Sequence, residues 1–190
     1  METVIVTHDG KFHADEVFAV AALSLLERNA AIVRTREGSA IAGADIVVDV
    51  GGVYDEKKDR FDHHQIGGAG KRENGIPYAA FGLVWKKFGE RLCGGSREAA
   101  RRGEEVLVVP IDANDNGIDI SVPAFSGSAP YDIGDVVRSF NPTWQEGEAQ
   151  ANERFHEAVA FAKYILTREI QRANAAVAGE GKVLACYASA

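Results

Sequence analysis

The sequence has few cysteines, and they are placed where they cannot form a familiar framework. Only Cys93 and Cys186 occur in 190 residues, far apart and outside any CxxC spacing. This scarcity excludes a disulfide scaffold and a zinc ribbon, and it fits a reducing cytosol. The segment METVIVTHDG also lacks a basic region followed by a long apolar core, so we expect no signal peptide. The longest apolar run, 17–26, is too short to span a bilayer. We therefore expect a soluble cytoplasmic protein without membrane association.

Positive charge is also in short supply. There are 21 Lys and Arg residues against 28 Asp and Glu, which gives a formal net charge of -7. This balance argues against a broad basic surface for duplex nucleic acid. It leaves room for a small phosphate site, because bound divalent cations would add positive charge that this count omits.

The hydrophobic pattern of the first fifty residues alternates strands with a helix. Short β-branched runs predict strands at 2–7, 31–34 and 46–50, and the alanine- and leucine-rich stretch 17–28 predicts a helix between the first two. Elements in this order favour a right-handed crossover between parallel strands. We therefore predict an α/β fold, a three-layer sandwich around a mainly parallel sheet.

Helices dominate the predicted second half. One helix is predicted over 78–92 and another over 97–109, running into a loop at PIDANDNGID. Apolar residues recur at helical spacing over 148–176, which predicts a long amphipathic helix near the C-terminus. The last ten residues, GKVLACYASA, could form a final strand or the cut edge of something longer.

Four of the five histidines fall in two short stretches that are rich in aspartate. In the first stretch, THDGKFHADE, His8 follows a predicted strand, and His13 and Asp15 precede a predicted helix. Ligands of open α/β sheets bind at this carboxyl edge. Imidazole and carboxylate together suit Mn, Zn, Fe or Co. The alternative needs no metal: His8 caps a turn and Asp15 is a helix N-cap.

Asp49 interrupts the apolar run IVVDVGG at the end of a predicted strand. A buried carboxylate at that point must be paired, hydrogen-bonded or bound to a metal. The alternative is that Asp49 accepts hydrogen bonds from the amides of the Gly51-Gly52 turn.

The second histidine stretch is RFDHHQ, with Asp62, His63 and His64 in a row. In an extended segment the two imidazoles would point to opposite faces, so one would ligate a metal while the other contacts substrate. A solvated histidine pair in a loop is the alternative. In PIDANDNG, Asp112 and Asp115 precede Asn-Gly, an ordinary turn signature whose functional meaning depends on the other clusters.

Five segments occur in this order: THDGKFHADE, VVDVGGVYD, RFDHHQ, GIPYAAFGLVWKKFG and PIDANDNGI. Together they resemble the MYG (melanocyte-proliferating gene) family, which belongs near the DHH phosphoesterase superfamily. The resemblance runs from about Val4 to about Trp144. It implies a DHH-like metal-binding catalytic domain over 1–145, with the long helix and short tail at 146–190 as part of the same domain. Longer members have a second, C-terminal domain over the substrate, which this chain is expected to lack.

The resemblance also implies an activity. DHH enzymes are divalent-cation phosphoesterases, usually Mn-dependent, and MYG-type proteins are described as nucleases acting on RNA from the 3′ end. We therefore expect two divalent ions, Mn ahead of Zn, Fe or Mg, and a metal-bound hydroxide that attacks phosphorus in line. The expected substrate contains phosphate, as single-stranded RNA, a short oligonucleotide or a small nucleotide.

Matching the motifs assigns the metal ligands by resemblance. The expected ligands are His8, His13, Asp15, Asp49, His63 and Asp112, with Asp115 as the alternative to Asp112. The first motif reads HxxxxHxD, whereas DHH enzymes more often have HxxxDxD, and this departure leaves the metal identity open.

Three residues are expected to act in catalysis. Asp49 would bridge the ions, His64 would serve the scissile phosphate as a donor or proton shuttle, and Asp62 would orient a histidine. Basic residues that could contact the phosphate are Lys11, Lys71 and Arg72. The alternative for those three is plain surface solvation.

Two other functions fit the same motifs. One is a metal-binding domain with little catalysis that acts through a protein partner. The other is a metal-dependent amide hydrolase, the older label of the family, although no HExxH helix or Ser/His/Asp order supports it. The apolar stripe of the long helix is expected to pack on the domain's own sheet, and any part left without cover would be buried in a homodimer.

Overall fold

The β-branched runs form one five-stranded sheet. The computed structural model describes residues 2–147 and 150–188, with side chains as far as residue 180. The strands lie in the order β2-β1-β3-β5-β4: β1 Val4–Thr7, β2 Ala31–Arg34, β3 Ile46–Val48, β4 Tyr54–Asp55 and β5 Arg60–Phe61. Neighbouring strands are parallel except β4 and β5, which form an antiparallel hairpin. The predicted mainly parallel sheet is confirmed.

Helices cover both faces of the sheet and complete the predicted three layers. They are α1 Ala14–Leu26, α2 Gly38–Gly43, α3 Ala80–Leu92, α4 Arg97–Gly103, α5 Val109–Asp115, α6 Ile133–Arg138 and α7 Ala151–Ala188. Because side chains alternate along a strand, Ile5 and Val48 join the main core with α1 and α3. Val6 and Val47 face the other way, into a smaller core.

The helix predicted over 97–109 continues to Asp115, so the predicted loop at PIDANDNG is wrong up to that residue. A π-helical turn, Glu104–Val108, joins α4 to α5. Pro110 follows this turn and lies in the first turn of α5, so the donor that proline lacks is missing at the junction of the two helical segments. The chain therefore stays helical through a proline that locally predicts a break.

The long amphipathic helix is confirmed as α7. It packs against α1 and α4, and its buried stripe includes Phe155, Ala158, Ala162 and Leu166. The stripe thus packs mainly against helices, and the expectation that it packs on the sheet is wrong apart from the contacts of Arg34 in β2 with Phe155 and Ala151. Since α7 extends over residues 181–188, a final strand there is wrong. A homodimer through α7 stays a prediction. In the described part of the chain, no helix has the length and apolar character needed to cross a membrane.

Candidate metal centre

Three neighbouring parallel strands end at one edge of the sheet, and each is followed by candidate ligands. His8 follows β1, Asp49 follows β3, and the Asp62-His63-His64 segment follows β5. The N-terminus of α1 brings Asp15 to the same edge. Residues distant in sequence therefore converge as the parallel topology predicts.

Asp49 lies at the middle of this convergence. Its Oδ2 atom is 3.3 Å from Nε2 of His8, and its Oδ1 atom is 3.3 Å from both Nε2 of His63 and Nδ1 of His64. The side chain is buried, and the backbone has φ of 55°, a left-handed conformation that few residues other than glycine adopt. Burial alone would raise the pKa of Asp49, but the three imidazoles outweigh it and lower that pKa.

His8 joins Asp49 to a buried glutamate. Its Nε2 atom is 2.9 Å from Oε1 of Glu16, and its Nδ1 atom is 2.9 Å from the carbonyl oxygen of Asp9. A histidine held through one ring nitrogen by a backbone carbonyl presents the other nitrogen in a fixed direction, as metal ligands do. Burial opposes protonation of His8, but Asp49 and Glu16 raise its pKa to about 10.

A second group of ligands surrounds His63. Its Nε2 atom lies 3.2 Å from Oδ2 of Asp115 and 3.8 Å from Oδ2 of Asp15. The same Asp15 oxygen accepts a hydrogen bond from the N–H of Ala80, the first residue of α3. Burial, followed by repulsion from nearby carboxylates, raises the pKa of Asp15 well above its usual value. Burial would lower the pKa of His63, but Asp115 and Asp49 raise it to about 10.

His13 has a more open position than the other motif histidines. Its Nδ1 atom lies 3.8 Å from Oδ1 of Asp115, and its side chain is 60% exposed. Its backbone N–H donates to Glu16, which makes His13, and not Asp15, the N-cap of α1. The N-cap role that was one alternative for Asp15 therefore belongs to His13.

His63 and His64 do not point to opposite faces, because residues 62–64 lie beyond β5. The N–H groups of Gly52 and His64 both donate to the Asp62 carboxylate, at 2.6 and 3.0 Å, which turns the backbone. The two rings come within 4.3 Å, centre to centre. Asp62 also lies 2.8 Å from Nδ1 of His64. Asp49 raises the pKa of His64 to about 9, against the effect of burial.

Asp112 lies apart from this convergence. Its carboxylate accepts hydrogen bonds from Nη2 of Arg72 at 2.8 Å and from the N–H of Gly82 at 3.0 Å. Arg72, expected at the substrate, is itself buried and also donates to Glu104 at 2.8 Å. Burial raises the pKa of Asp112 to about 6, and Arg72 opposes this rise. The other basic candidates, Lys11 and Lys71, are exposed.

The side chains of this cluster have the buried, unsatisfied donor atoms that a divalent cation would bind. Among the described residues, three buried atoms of the cluster form no hydrogen bond of acceptable geometry, although Asp49 Oδ1 and His63 Nε2 lie 3.3 Å apart: Asp15 Oδ1, Asp49 Oδ1 and His63 Nε2. Such atoms are costly unless something binds them. Four sets of side chains bring ligand atoms within 4.8 Å of one another: Asp49–His63–His64, His8–Glu16–Asp49, His13–Asp15–Glu16 and Asp15–His63–Asp115. Their mixed nitrogen and oxygen donors suit a transition metal.

A cavity of about 180 Å³ opens beside these ligands. His13 and Asp115 line it on one side and Arg138, from α6, on the other. Arg138 also lines a neighbouring cavity of about 590 Å³. The acidic cluster therefore faces an accessible space that carries one arginine.

Comparison of the sequence with known proteins identifies a family. A family model named MYG1_exonuc, described as "Uncharacterised protein family (UPF0160)", matches residues 4–190. The chain belongs to the MYG1 family. The resemblance drawn from the motifs is thus confirmed at the family level, and the link to the DHH superfamily stays a prediction.

Curated MYG1 relatives span animals and bacteria. The chain is 34% identical to the MYG1 protein C27H6.8 of Caenorhabditis elegans, over 90% of this chain and 56% of the relative. It is 36% identical to the human MYG1 exonuclease, over 80% and 46%, and 34% identical to the MYG1 protein of Chlamydia trachomatis, over 85% and 52%. The chain thus spans about half the length of the curated relatives it matches. No solved structure matches it.

Sequence reasoning about this MYG1 chain missed two residues of the candidate site. Glu16 was overlooked because it stands three positions after His13, where a glutamate commonly caps a helix. The capping role accounts for a glutamate there without any metal. Arg138 lies outside every quoted motif. Only the fold brings α6 to the cavity, so no local signal pointed to it.

Proposed function

We propose that this chain is a divalent-cation-dependent phosphodiesterase that acts as a nuclease on single-stranded RNA or short oligonucleotides. The observation that carries the proposal is the position of Asp49, whose two carboxylate oxygens face two different sets of ligands. One carboxylate shared between two sets is the arrangement that a paired-cation phosphodiesterase needs. The name of the human relative, MYG1 exonuclease, supports the same reaction class.

The two sets divide the acidic side chains between two ions. One ion would be held by His8, Glu16 and Asp49, and the other by Asp15, Asp49, His63 and Asp115. Asp115 replaces Asp112 in this assignment, because Asp112 is occupied by Arg72. Manganese is the proposed metal because of the resemblance to Mn-dependent DHH enzymes, with Zn, Fe and Mg as competitors, since the mixed nitrogen and oxygen donors do not separate them.

Cations held there would lower the pKa of a water and offset the negative charge that grows on the phosphoryl oxygens. The side chains have roles of their own. Asp62 holds Nδ1 of His64, whose ring is 61% exposed, so the other ring nitrogen is left to pass a proton to the leaving oxygen.

Arg138 supplies the positive charge that Arg72 cannot. It lines the cavity beside His13 and Asp115, and its guanidinium is held by Asp135 at 3.0 Å on the protein surface. A guanidinium in that position suits a phosphate oxygen, because its donors match the geometry of the anion. Arg138 would thus orient the substrate against the ions.

The test is an Asp49→Asn variant assayed with bis-p-nitrophenyl phosphate and short RNA after metal stripping and addition of Mn²⁺. We expect turnover by the wild type and its loss in the variant. Asp59→Asn is a matched control, because Asp59 also has φ of 55° but pairs with Lys87, outside the cluster. Full turnover by Asp49→Asn contradicts the bridging role. Stoichiometric ion binding without wild-type turnover overturns the phosphodiesterase in favour of a non-catalytic metal-binding domain.

A further inference from the structure

A third cleft, of about 300 Å³, has no part in the chemistry proposed above. Gly10 and Lys11 line one side, and Pro142, Thr143, Trp144 and Ala151 line the other. The Trp144 side chain is 91% exposed, whereas Trp85, the other tryptophan of the sequence, is buried. An indole left almost wholly in water at the lip of a cleft is a costly placement, and it suggests a ligand with a flat apolar face.

The cleft is held together from beneath by Arg34. Its Nη2 atom donates to the carbonyl oxygen of Gly10 at 2.7 Å, and its Nη1 atom donates to that of Ala151 at 3.2 Å. The guanidinium stacks over Phe155, 4.5 Å from the ring centre. One half-buried side chain thus fixes the two opposite walls relative to each other.

A further pair of hydrogen bonds fixes the segment that carries Trp144. The side chain of Asn141 accepts from the N–H of Phe12 at 2.9 Å and donates to the carbonyl of Phe12 at 2.8 Å. Phe12 belongs to the loop that bears Lys11. The indole is therefore three residues from an anchor on that loop.

The same loop carries two of the candidate metal ligands. Lys11 is three residues after His8 and two before His13, so its Cα atom lies within roughly 11 Å of either one. A strand with a phosphodiester at the metal centre would therefore have a neighbouring nucleotide within reach of the cleft.

We propose that this cleft is a base-stacking subsite for single-stranded nucleic acid, in which Trp144 stacks on a base and Lys11 contacts a backbone phosphate. The inference rests on the proposed nuclease function and specifies which residues bind its substrate. Aromatic side chains stack on any base, and a lysine neutralises phosphate without reading sequence. This pairing explains how a chain with net charge -7 can hold an anionic strand without a broad basic surface.

The experiment measures binding rather than cleavage. Fluorescein-labelled RNA and DNA hexanucleotides are titrated with the full chain in chelator, so that no strand is cut, and anisotropy is recorded. Unlabelled strands should quench tryptophan emission of the wild type, and because Trp85 is buried the change reports Trp144. Trp144→Ala should weaken binding about 5- to 150-fold, which corresponds to about 1–3 kcal/mol per stacked base. Trp144→Phe should recover most of it.

Two further variants sharpen the result. Tyr164→Ala removes another exposed aromatic ring, on α7, and should leave binding unchanged. Lys11→Ala should lower the dependence of log affinity on log salt by about 0.7, the value for one phosphate contact on a single strand.

Absence of strand binding by the wild type, or binding by Trp144→Ala within twofold of the wild type, overturns the subsite. Loss of a dimer in Trp144→Ala with strand binding unchanged would assign the indole to a second copy of the chain and also overturn it. Turnover of bis-p-nitrophenyl phosphate by the wild type reports the catalytic proposal separately. If the wild type turns over bis-p-nitrophenyl phosphate and Trp144→Ala binds strands as the wild type does, only the subsite is overturned. If the wild type shows no turnover, the proposed function is overturned.

Discussion

A methyl group added at Gly82 tests whether Asp112 stabilises the fold through Arg72 or is free to bind a metal. Gly82 lies in the first turn of α3, against the buried pair formed by Asp112 and Arg72. A Cβ atom there would stand 1.8 Å from Oδ2 of Asp112 and 2.6 Å from Nη2 of Arg72. Neither atom is the free end of an exposed side chain, so Gly82→Ala must break the ion pair.

The magnitude follows from two opposing effects. Breaking a buried ion pair costs about 3–5 kcal/mol of unfolding free energy. Replacing glycine by alanine in a helix returns up to about 1 kcal/mol. The net loss is about 2–4 kcal/mol, which for a chain of this size lowers Tm by roughly 4–16 °C.

The assay is thermal and urea unfolding in chelator, followed by far-UV circular dichroism. Gly179→Ala is the matched control, because a Cβ atom at Gly179 in α7 meets nothing within 4 Å, and its Tm should rise slightly. A Tm for Gly82→Ala equal to that of Gly179→Ala would refute the reasoning. It would mean that Asp112 is free to move and could still serve as a ligand.

Two further predictions concern the acidic side chains and pH. Asp115→Asn should weaken Mn²⁺ binding at least tenfold with little change in Tm, and Asp112→Asn should do the reverse; calorimetric titration and melting of both variants decide between them. In chelator, the carboxylates hold the pKa of His8 and His63 at about 10 and that of His64 at about 9. The stability from these raised pKa values is complete below about pH 6.5 and is lost as pH rises through about 9–10. Melts from pH 6.5 to 10.5 should therefore show a falling Tm, and a flat profile would contradict the assignment.

The sheet could be predicted because its signals are local. Runs such as Val4–Thr7 and Ile46–Val48 are β-branched and short, and burial on both faces of a parallel sheet favours such runs. The helical segment after Arg97 could not be bounded, because Pro110 and the Asn-Gly pair at 116–117 both indicate a turn locally. The π-helical turn that accommodates the proline has no sequence signature of its own.

The site was predictable in its location and less so in its members. His8, Asp49 and the histidine pair stand next to recognisable strands, so strand topology alone brings them together. The choice between Asp112 and Asp115 was not readable, since it depends on which carboxylate Arg72 reaches. That contact joins positions 40 residues apart, and no local pattern encodes it.

The spread of the ligands along the chain has a consequence for biosynthesis. The proposed ligands extend from His8 to Asp115, so the donor set is complete only when the chain has been synthesised through α5. A chain that stops before α5 would have the carboxylates and imidazoles of the strand edge without Asp115, which contacts His63. If the cluster binds a pair of ions as proposed, fragments that lack α5, and with it Asp115, should bind them far more weakly than the chain that contains α5.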